Sequence, residues 1–464
     1  MSRVNSVPTV GLAAHHRAVA LLQASYRALP PGERVRLGKR TSNLFRSSEP
    51  SGRGLDVSAL CGVIDIDAPG RTADVQGMCT YEELVAVTLG HGLMPLVVPQ
   101  LKTITLGGAV TGLGIESSSL RNGLPHESVL EMDILTGDGE IVTASELENS
   151  DLFFAFPNSY GSLGYATRLR ITLEPVATHV ALHHLRFTSL DELVAAIGQI
   201  ADTGDWQGEA VDFVDGVMFD ESESYLTLGR WAEPGNGGGS SQGDPSDYTR
   251  QQIYYRSIQQ REQDSLTVSD YLWRWDTDWF WCSAAFGAQN PTLRRLWPRR
   301  WRRSDVYHRL LRWESRYRIS ERVERRRGRP ARERLVQDVE LPLEQTADFL
   351  RWFTREVGMS PVWLCPLRSR RSWPIYPLEP GRVYVNVGFW GTVPVSPGAA
   401  DGDVNRAVEH AVAEFGGHKS LYSDVYYDRE TFDALYGGEA LKAVKQKYDP
   451  DGRLSGMFEK VTGS

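Results

Sequence analysis

The chain has 464 residues, 41% hydrophobic and 24% charged, with a formal net charge of −8. That length exceeds a single ordinary core, since cores stop growing at roughly 250–300 residues, and the composition excludes a disordered polyelectrolyte. Four scattered cysteines, Cys61, Cys79, Cys282 and Cys365, form no Cys-x-x-Cys pair, so neither a disulfide framework nor a zinc site is suggested and no metal is expected.

In chain order, the opening residues lack a continuous apolar leader, and no run of 18 apolar residues follows, so a secretory signal and a membrane span are not expected. A cytoplasmic location fits. Leu12, Val19, Leu22 and Tyr26 recur at helical spacing and predict a helix over 12–29, ended by Pro30-Pro31-Gly32. A strand at Val35–Leu37 follows, then β-rich runs at 63–67, 72–77 and 95–99. A helix over 80–92 has Thr80 as its N-cap, Glu83 as the capping-box partner and Gly92 as its stop. Residues 127–144 alternate around Gly137-Asp138-Gly139 as a hairpin, and 167–175 alternate again.

Short strands of this kind give an α+β class rather than repeated βαβ units. The expected division is a helical segment over 1–33, a first domain over 34–178 and a second over 179–464. The second domain alternates strands with amphipathic helices and predicts an antiparallel sheet. Its Gly/Ser-rich stretch 233–247 reads as a surface loop. The segment 294–334 holds 17 arginines against five acids, an Arg/Trp belt on an otherwise acidic chain. Three readings of the belt stand: a salt-bridged helix pair, docking on anionic lipid headgroups with Trp297, Trp301 and Trp313 at the interface, or capture of a nucleotide 2′-phosphate. Nucleic acid is not expected, because no stacking module accompanies the charge.

The densest signal is LKTITLGGAVTGLGIESSS at 101–119. Its glycines do not follow G-x-G-x-x-G and no G-K-[ST] ends the run, so both the Rossmann and P-loop readings fail. A glycine-rich loop whose amides hold a pyrophosphate remains, opposed by an ordinary glycine-rich connection. A second glycine pair, Gly161 and Gly164 in SDLFFAFPNSYGSLG, favours the ligand.

Together with FGAQNP (286–291), LVQDVELP (335–342), PVWLCPL (361–367) and HKSLYSDVYYDRETF (418–432), these segments resemble the vanillyl-alcohol-oxidase (PCMH-type) flavoproteins. Within that superfamily the chain is most similar to the Δ24-sterol reductases, over about residues 35–450. The resemblance implies a two-domain PCMH-type FAD-binding fold with a C-terminal substrate domain built on an antiparallel sheet with helices.

It further implies FAD, with NADPH as electron donor. Residues 38–45 carry no histidine or cysteine, so a noncovalent flavin is expected. The cofactor would be held by Lys39, Asn43, Thr105, Gly107, Gly108, Gly112, Gly114, Ile115, Glu116, Ser117, Ser118, Gly161 and Gly164. The arginine-rich composition suggests a GC-rich, actinobacterial genome. Bacterial proteins resembling this one reduce a 10-methylene acyl phospholipid to the 10-methyl, tuberculostearoyl-type chain after a partner methyltransferase installs the methylene. The implied enzyme is thus an FAD-dependent reductase of a lipid C=C bond, peripheral at the inner face of the plasma membrane. A sterol side-chain reductase, an alcohol or sugar oxidase, and a non-catalytic lipid-binding protein are the alternatives.

An isolated alkene is poorly electrophilic, so a placed acid in a dry site is required. Tyr422, Asp424 and Glu116 are the candidates, Glu116 being either a proton donor or a flavin-ribose ligand. Trp273, Trp275, Trp279, Phe280, Trp281, Phe389 and Trp390 are expected to wall an acyl pocket, although core packing explains them too.

Overall fold

The computed structural model describes residues 8–39, 45, 46, 53–233, 244–317 and 330–463. Asn43 and most of the glycine/serine stretch 233–247 lie outside them, as do residues 318–329 of the basic belt and the side chain of Trp313.

Apolar periodicity places the early elements. The helix Leu12–Arg27 buries Ala18, Leu22 and Tyr26 against a parallel pair, β1 (Val35–Leu37) and β2 (Arg53–Leu55). An antiparallel sheet follows from β3 (Val63–Asp67), β4 (Thr72–Gln76), β5 (Leu93–Pro95), β6 (Val129–Leu135), β7 (Ile141–Ser145) and β8 (Tyr165–Pro175). Its order is β3-β4-β8-β6-β7, with β5 also paired to β8. The β6–β7 hairpin turns at the expected Gly-Asp-Gly. The helix Tyr81–Leu89 starts at Thr80 with the reciprocal Thr80–Glu83 capping box. The strand expected over 95–99 instead ends at Pro95, because its pairing with Leu173–Pro175 engages residues 93–95.

The second sheet comprises β9 (His179–Phe187), β12 (Phe213–Asp220), β13 (Glu223–Ala232), β14 (Gln263–Thr267), β15 (Arg332–Pro342), β16 (Val362–Arg368), β17 (Val383–Pro394) and β18 (His418–Lys419). A separate short hairpin joins β10 (Asp205–Trp206) and β11 (Glu209–Ala210). The large sheet runs β14-β9-β13-β12-β16-β17-β15-β18, antiparallel throughout. One face is covered by the helices Leu190–Thr203, Leu343–Glu356 and Asp403–Glu414, through residues such as Leu193, Phe349, Phe353 and Val408. The other face shares a core with the first sheet, through Trp363, Tyr384 and Trp390. The chain's end returns to the first sheet: Lys445 donates to Ser162 O at 3.0 Å and Lys460 to Gly161 O at 2.6 Å.

One buried ion cluster ties the two sheets together. Arg274 Nη2 donates to Glu116 Oε1 at 3.1 Å and to Asp215 Oδ2 at 2.9 Å, and all three side chains are buried. Asp215 on β12 also accepts from Trp275 Nε1 at 3.0 Å and Trp363 Nε1 at 3.2 Å. The guanidinium lies over the Tyr271 ring, 4.0 Å from its centroid. Removing the cation leaves two desolvated carboxyls, and breaking a buried pair in this way costs about 3–5 kcal/mol. Arg274→Met is therefore expected to lower the unfolding free energy by about that amount in urea titration, whereas the charge-keeping Arg274→Lys loses less.

Candidate functional site

Between the sheets lies a cavity of about 1030 Å³. Ordinary small-molecule pockets span about 300–1,000 Å³, so this one stands at the top of that range and has room for a large ligand. Two contrasting groups line it. Arg36, Lys39, Arg46 and Lys460 supply cations, while Phe45, Trp279, Phe280, Trp363, Trp390 and Leu311 supply an apolar, mostly aromatic wall.

The glycine segment runs along the cavity but is built differently from the expected loop. Leu106–Thr111 is a short helix, capped by Thr105 Oγ1, which accepts from Gly108 N at 3.1 Å. Glycine is a poor helix former, yet Gly107 is required here: a Cβ would stand 2.6 Å from the carbonyl oxygen of Gly77. The first helical amides are spent within the protein, Leu106 N on Cys79 O and Gly107 N on Gly77 O, both at 2.9 Å. Gly112 N likewise bonds Gly108 O. The amides of Leu113, Gly114 and Ile115 make no such bond among the described residues, and all three residues line the cavity. The anion-binding part of the segment thus shifts to 113–115.

Thr105, Gly107, Gly108, Gly112, Gly114, Ile115, Gly161, Gly164 and Lys39 all line the cavity, as the sequence reading expected. Glu116, Ser117 and Ser118 do not. Ser117 Oγ donates to Glu116 Oε1 at 2.6 Å and meets Tyr271 OH at 2.7 Å, and Ser118 Oγ donates to Leu96 O at 2.9 Å. Glu116 faces Arg274, and its expected roles as proton donor or ribose ligand are corrected to that of an inter-sheet tie. Burial pushes its pKa up, against the pull of Arg274 and with the push of Asp215.

The 418–432 segment splits similarly. Asp424 is engaged by the Arg334 guanidinium and does not line the cavity, so its expected catalytic role is withdrawn. Tyr422 does line it, held by Phe45, whose N–H donates to Tyr422 O at 3.0 Å and whose ring packs edge-on at 5.8 Å. Trp390 Nε1 donates to Tyr422 OH at 2.8 Å, and the Asp338 carboxyl lies near enough to the same hydroxyl for each to influence the other's ionisation.

Asp338 was missed in the sequence. Alternation along β15 puts Val336, Asp338 and Glu340 on the face turned to the shared core, so an acid amid the apolar LVQDVELP was the available signal. Its strand partner is Gly388, where a Cβ would stand 2.5 Å from Asp338 Oδ1, so only glycine leaves the carboxyl its place. Burial raises the Asp338 pKa to about 6, against the hydrogen bond from Asn386 and the nearby Tyr422 hydroxyl, which favour the anion.

Of the expected aromatic wall, Trp279, Phe280 and Trp390 reach the cavity, with Phe280 stacked on Trp390 at 4.2 Å. Trp273, Trp275, Trp281 and Phe389 are buried outside its lining. Trp363, Phe45 and His308 were missed, since none stands in a run that marks it off from core.

The cationic group fits a bound polyphosphate. Lys39, Arg46 and Lys460 make no ion pair among the described residues, and Arg46 Nε is buried without a partner. Lys460 is pushed down to about 7 by burial and by its cationic neighbours Lys445, Arg46 and Lys39. Cations with no counterion among the described residues, lining the cavity beside free amides at 113–115, are the complement of an anionic ligand.

The comparisons agree with this chemistry. Residues 32–145 match the FAD binding domain family. Delta(24)-sterol reductase from Homo sapiens is 24% identical over 423 residues, 87% of this chain and 76% of that protein. The Arabidopsis thaliana Delta(24)-sterol reductase is 24% identical over 459 residues, 88% and 76% of the two chains. Cytokinin dehydrogenase 10 of Oryza sativa subsp. japonica is 30% identical over 219 residues, 46% of this chain and 39% of that one.

The raised Asp338 pKa carries a stability consequence. A carboxyl whose folded-state pKa lies near 6 rather than 3.8 binds more protons in the folded than in the unfolded state, so stability falls as pH rises between those values. Asp338→Asn removes this penalty, and is expected to gain roughly 1–3 kcal/mol at pH 8 relative to its effect at pH 4, read from denaturant titrations at both pH values. The FAD binding domain match over 32–145, on a cavity that carries counterionless cations and free backbone amides, together with the similarity to sterol reductases and a cytokinin dehydrogenase, makes this chain an FAD-dependent oxidoreductase of PCMH-type α+β fold.

Proposed function

We propose that the protein reduces an isolated carbon–carbon double bond in a lipid chain, using noncovalent FAD reduced by NADPH. The observation that carries this reading is the Tyr422–Asp338–Trp390 constellation on an aromatic cavity wall. Apolar rings suit a hydrocarbon, and the only chemistry such a substrate then lacks is a proton and a hydride. FAD, once bound and reduced, supplies the hydride equivalent to one alkene carbon.

The side chains supply the rest. Tyr422 O–H delivers the proton to the other carbon, and Trp390 N–H, donated to the same oxygen, stabilises the negative charge left there. Protonated Asp338 donates to the Tyr422 oxygen, which leaves the phenol proton directed into the cavity, and then refills it. Ionised Asp338 accepts that proton as a hydrogen bond instead and turns it away from substrate. Overall, one alkene, one NADPH and one proton give one saturated chain and NADP⁺. Lys39, Arg46, Lys460 and the amides of 113–115, which line the cavity, would hold the pyrophosphate.

The lead substrate is a 10-methylene acyl phospholipid, whose methylene an upstream methyltransferase would install. A sterol side-chain alkene is the second reading, favoured by the length of the match to Delta(24)-sterol reductases. Both place the protein in the cytoplasm at a membrane surface.

Anaerobic NADPH should bleach the flavin, and methylene-branched lipid should restore its colour. Restoration by a Δ24-sterol alone selects the second reading, and rapid peroxide formation with an alcohol in air refutes both. Tyr422→Phe is expected to slow the alkene-driven recolouring by about 10²–10⁴-fold while leaving bleaching unchanged. In the unaltered enzyme, kcat/KM should fall as pH rises through about 6, and Asp338→Asn should abolish that limb.

A further inference from the structure

The basic belt divides into inward and outward arginines. Arg294 is buried and pairs with Asp278 at 2.6 Å. Arg302 donates to the backbone carbonyl of Thr249 at 2.7 Å, and Arg303 pairs with Glu82 at 2.7 Å and Asp305 at 2.9 Å. These three are structural. Arg295 and Arg300 are exposed and make no ion pair among the described residues, and Arg299 is exposed while sharing Asp247 with Arg250.

Between the outward cations stand exposed apolar side chains. Leu293, Leu296 and Trp301 are 50%, 78% and 49% exposed. From Pro291 to Ser304 the chain holds six arginines and no acid. The following helix, Ser304–Tyr317, carries His308 and Leu311 into the cavity wall, so this surface and the cavity share one element.

We propose that this edge docks onto an anionic lipid bilayer, with Leu293, Leu296 and Trp301 entering the headgroup region and Arg295, Arg299 and Arg300 against lipid phosphates. The proposal extends the reading above that the substrate is a lipid chain, and accounts for how a bilayer-resident chain meets the cavity. Charge complementarity selects the partner: a chain of net charge −8 is repelled by such a surface except where a local cationic patch faces it. Exposed leucines beside an indole gain from acyl and headgroup contact, whereas a phosphate backbone gives them nothing. A second copy is disfavoured, because a two-fold contact would set Arg295 and Arg300 against their own equivalents.

The test uses the FAD-loaded full chain with vesicles of phosphatidylglycerol and phosphatidylcholine, by co-sedimentation. Binding to the anionic vesicles, weak binding to pure phosphatidylcholine, and release by about 0.5 M salt are expected. Leu293→Ser/Leu296→Ser/Trp301→Ser and Arg295→Glu/Arg300→Glu should each weaken binding by at least about tenfold while the flavin spectrum and its bleaching by NADPH stay unchanged. Equal sedimentation of both variants with the parent, no sedimentation of the parent, or an RNA oligomer competing the parent off the vesicles would each overturn the proposal. So would a dimer in analytical ultracentrifugation that the triple variant dissolves. Vesicle binding needs no turnover, so it stands or falls separately from the substrate reading, which recolouring with detergent-dispersed lipid decides.

Discussion

Arg274 fixes the geometry on which everything else rests. Its guanidinium is fully buried, yet it holds a carboxyl from the glycine segment and another from β12 of the second sheet. Two acids around one cation leave an excess negative charge in a medium that penalises charge, and the raised Glu116 pKa is the relief. The cluster is worth little as net stabilisation, but it permits only one relative placement of the sheets. Since Ile115 lines the cavity and Glu116 enters the tie, consecutive residues couple the cavity wall to the second sheet.

That placement brings two incompatible environments into one cavity. Lys39, Arg46 and Lys460 line one side and lack counterions among the described residues, which suits an anionic ligand. The rings of Phe280, Trp363 and Trp390 exclude water on the other side. A carboxyl placed among them has its pKa raised by the same low polarity that would lower that of Lys460. One physical cause, burial, thus gives both an acid and a partly neutralised cation in the range where proton transfer is easy.

Local signals in the sequence were reliable where local physics decides. The Thr80–Glu83 box, the hairpin at 137–139 and the alternation of 167–175 all depend on neighbours in the chain, and all stand in the structure. The glycine segment was legible as a cavity wall but not as a helix, because Gly107 and Gly108 argue against helix by propensity, and their reasons are local to the fold: Gly107 packs on the Gly77 carbonyl and Gly108 on the capping Thr105 hydroxyl. Glu116, Ser117 and Ser118 were misplaced by the same limit: one residue's step turns the chain from cavity to core, and no composition records that turn. Tyr422 and Asp424 are two residues apart in a motif of uniform appearance, and only Arg334, distant in sequence, separates their roles.

Asp338 shows what alternation can yield when pressed further. On β15, residues 335, 339 and 341 pack against the helical layer, which fixes 336, 338 and 340 on the opposite face. Two of those three are acids, on a face that the next strand, β17, lines with Trp390 and Gly388. A solvated edge would tolerate such carboxylates anywhere. In the interior of an eight-stranded sheet they persist only with a partner, and Glu340 has Tyr376 and Ser420 while Asp338 has Asn386. Of the pair, Asp338 alone opens onto the cavity, and Gly388 gives up its side chain to keep it there. A strand pair that accepts a buried acid and a missing side chain at facing positions gives up stability there, as binding and catalytic sites do.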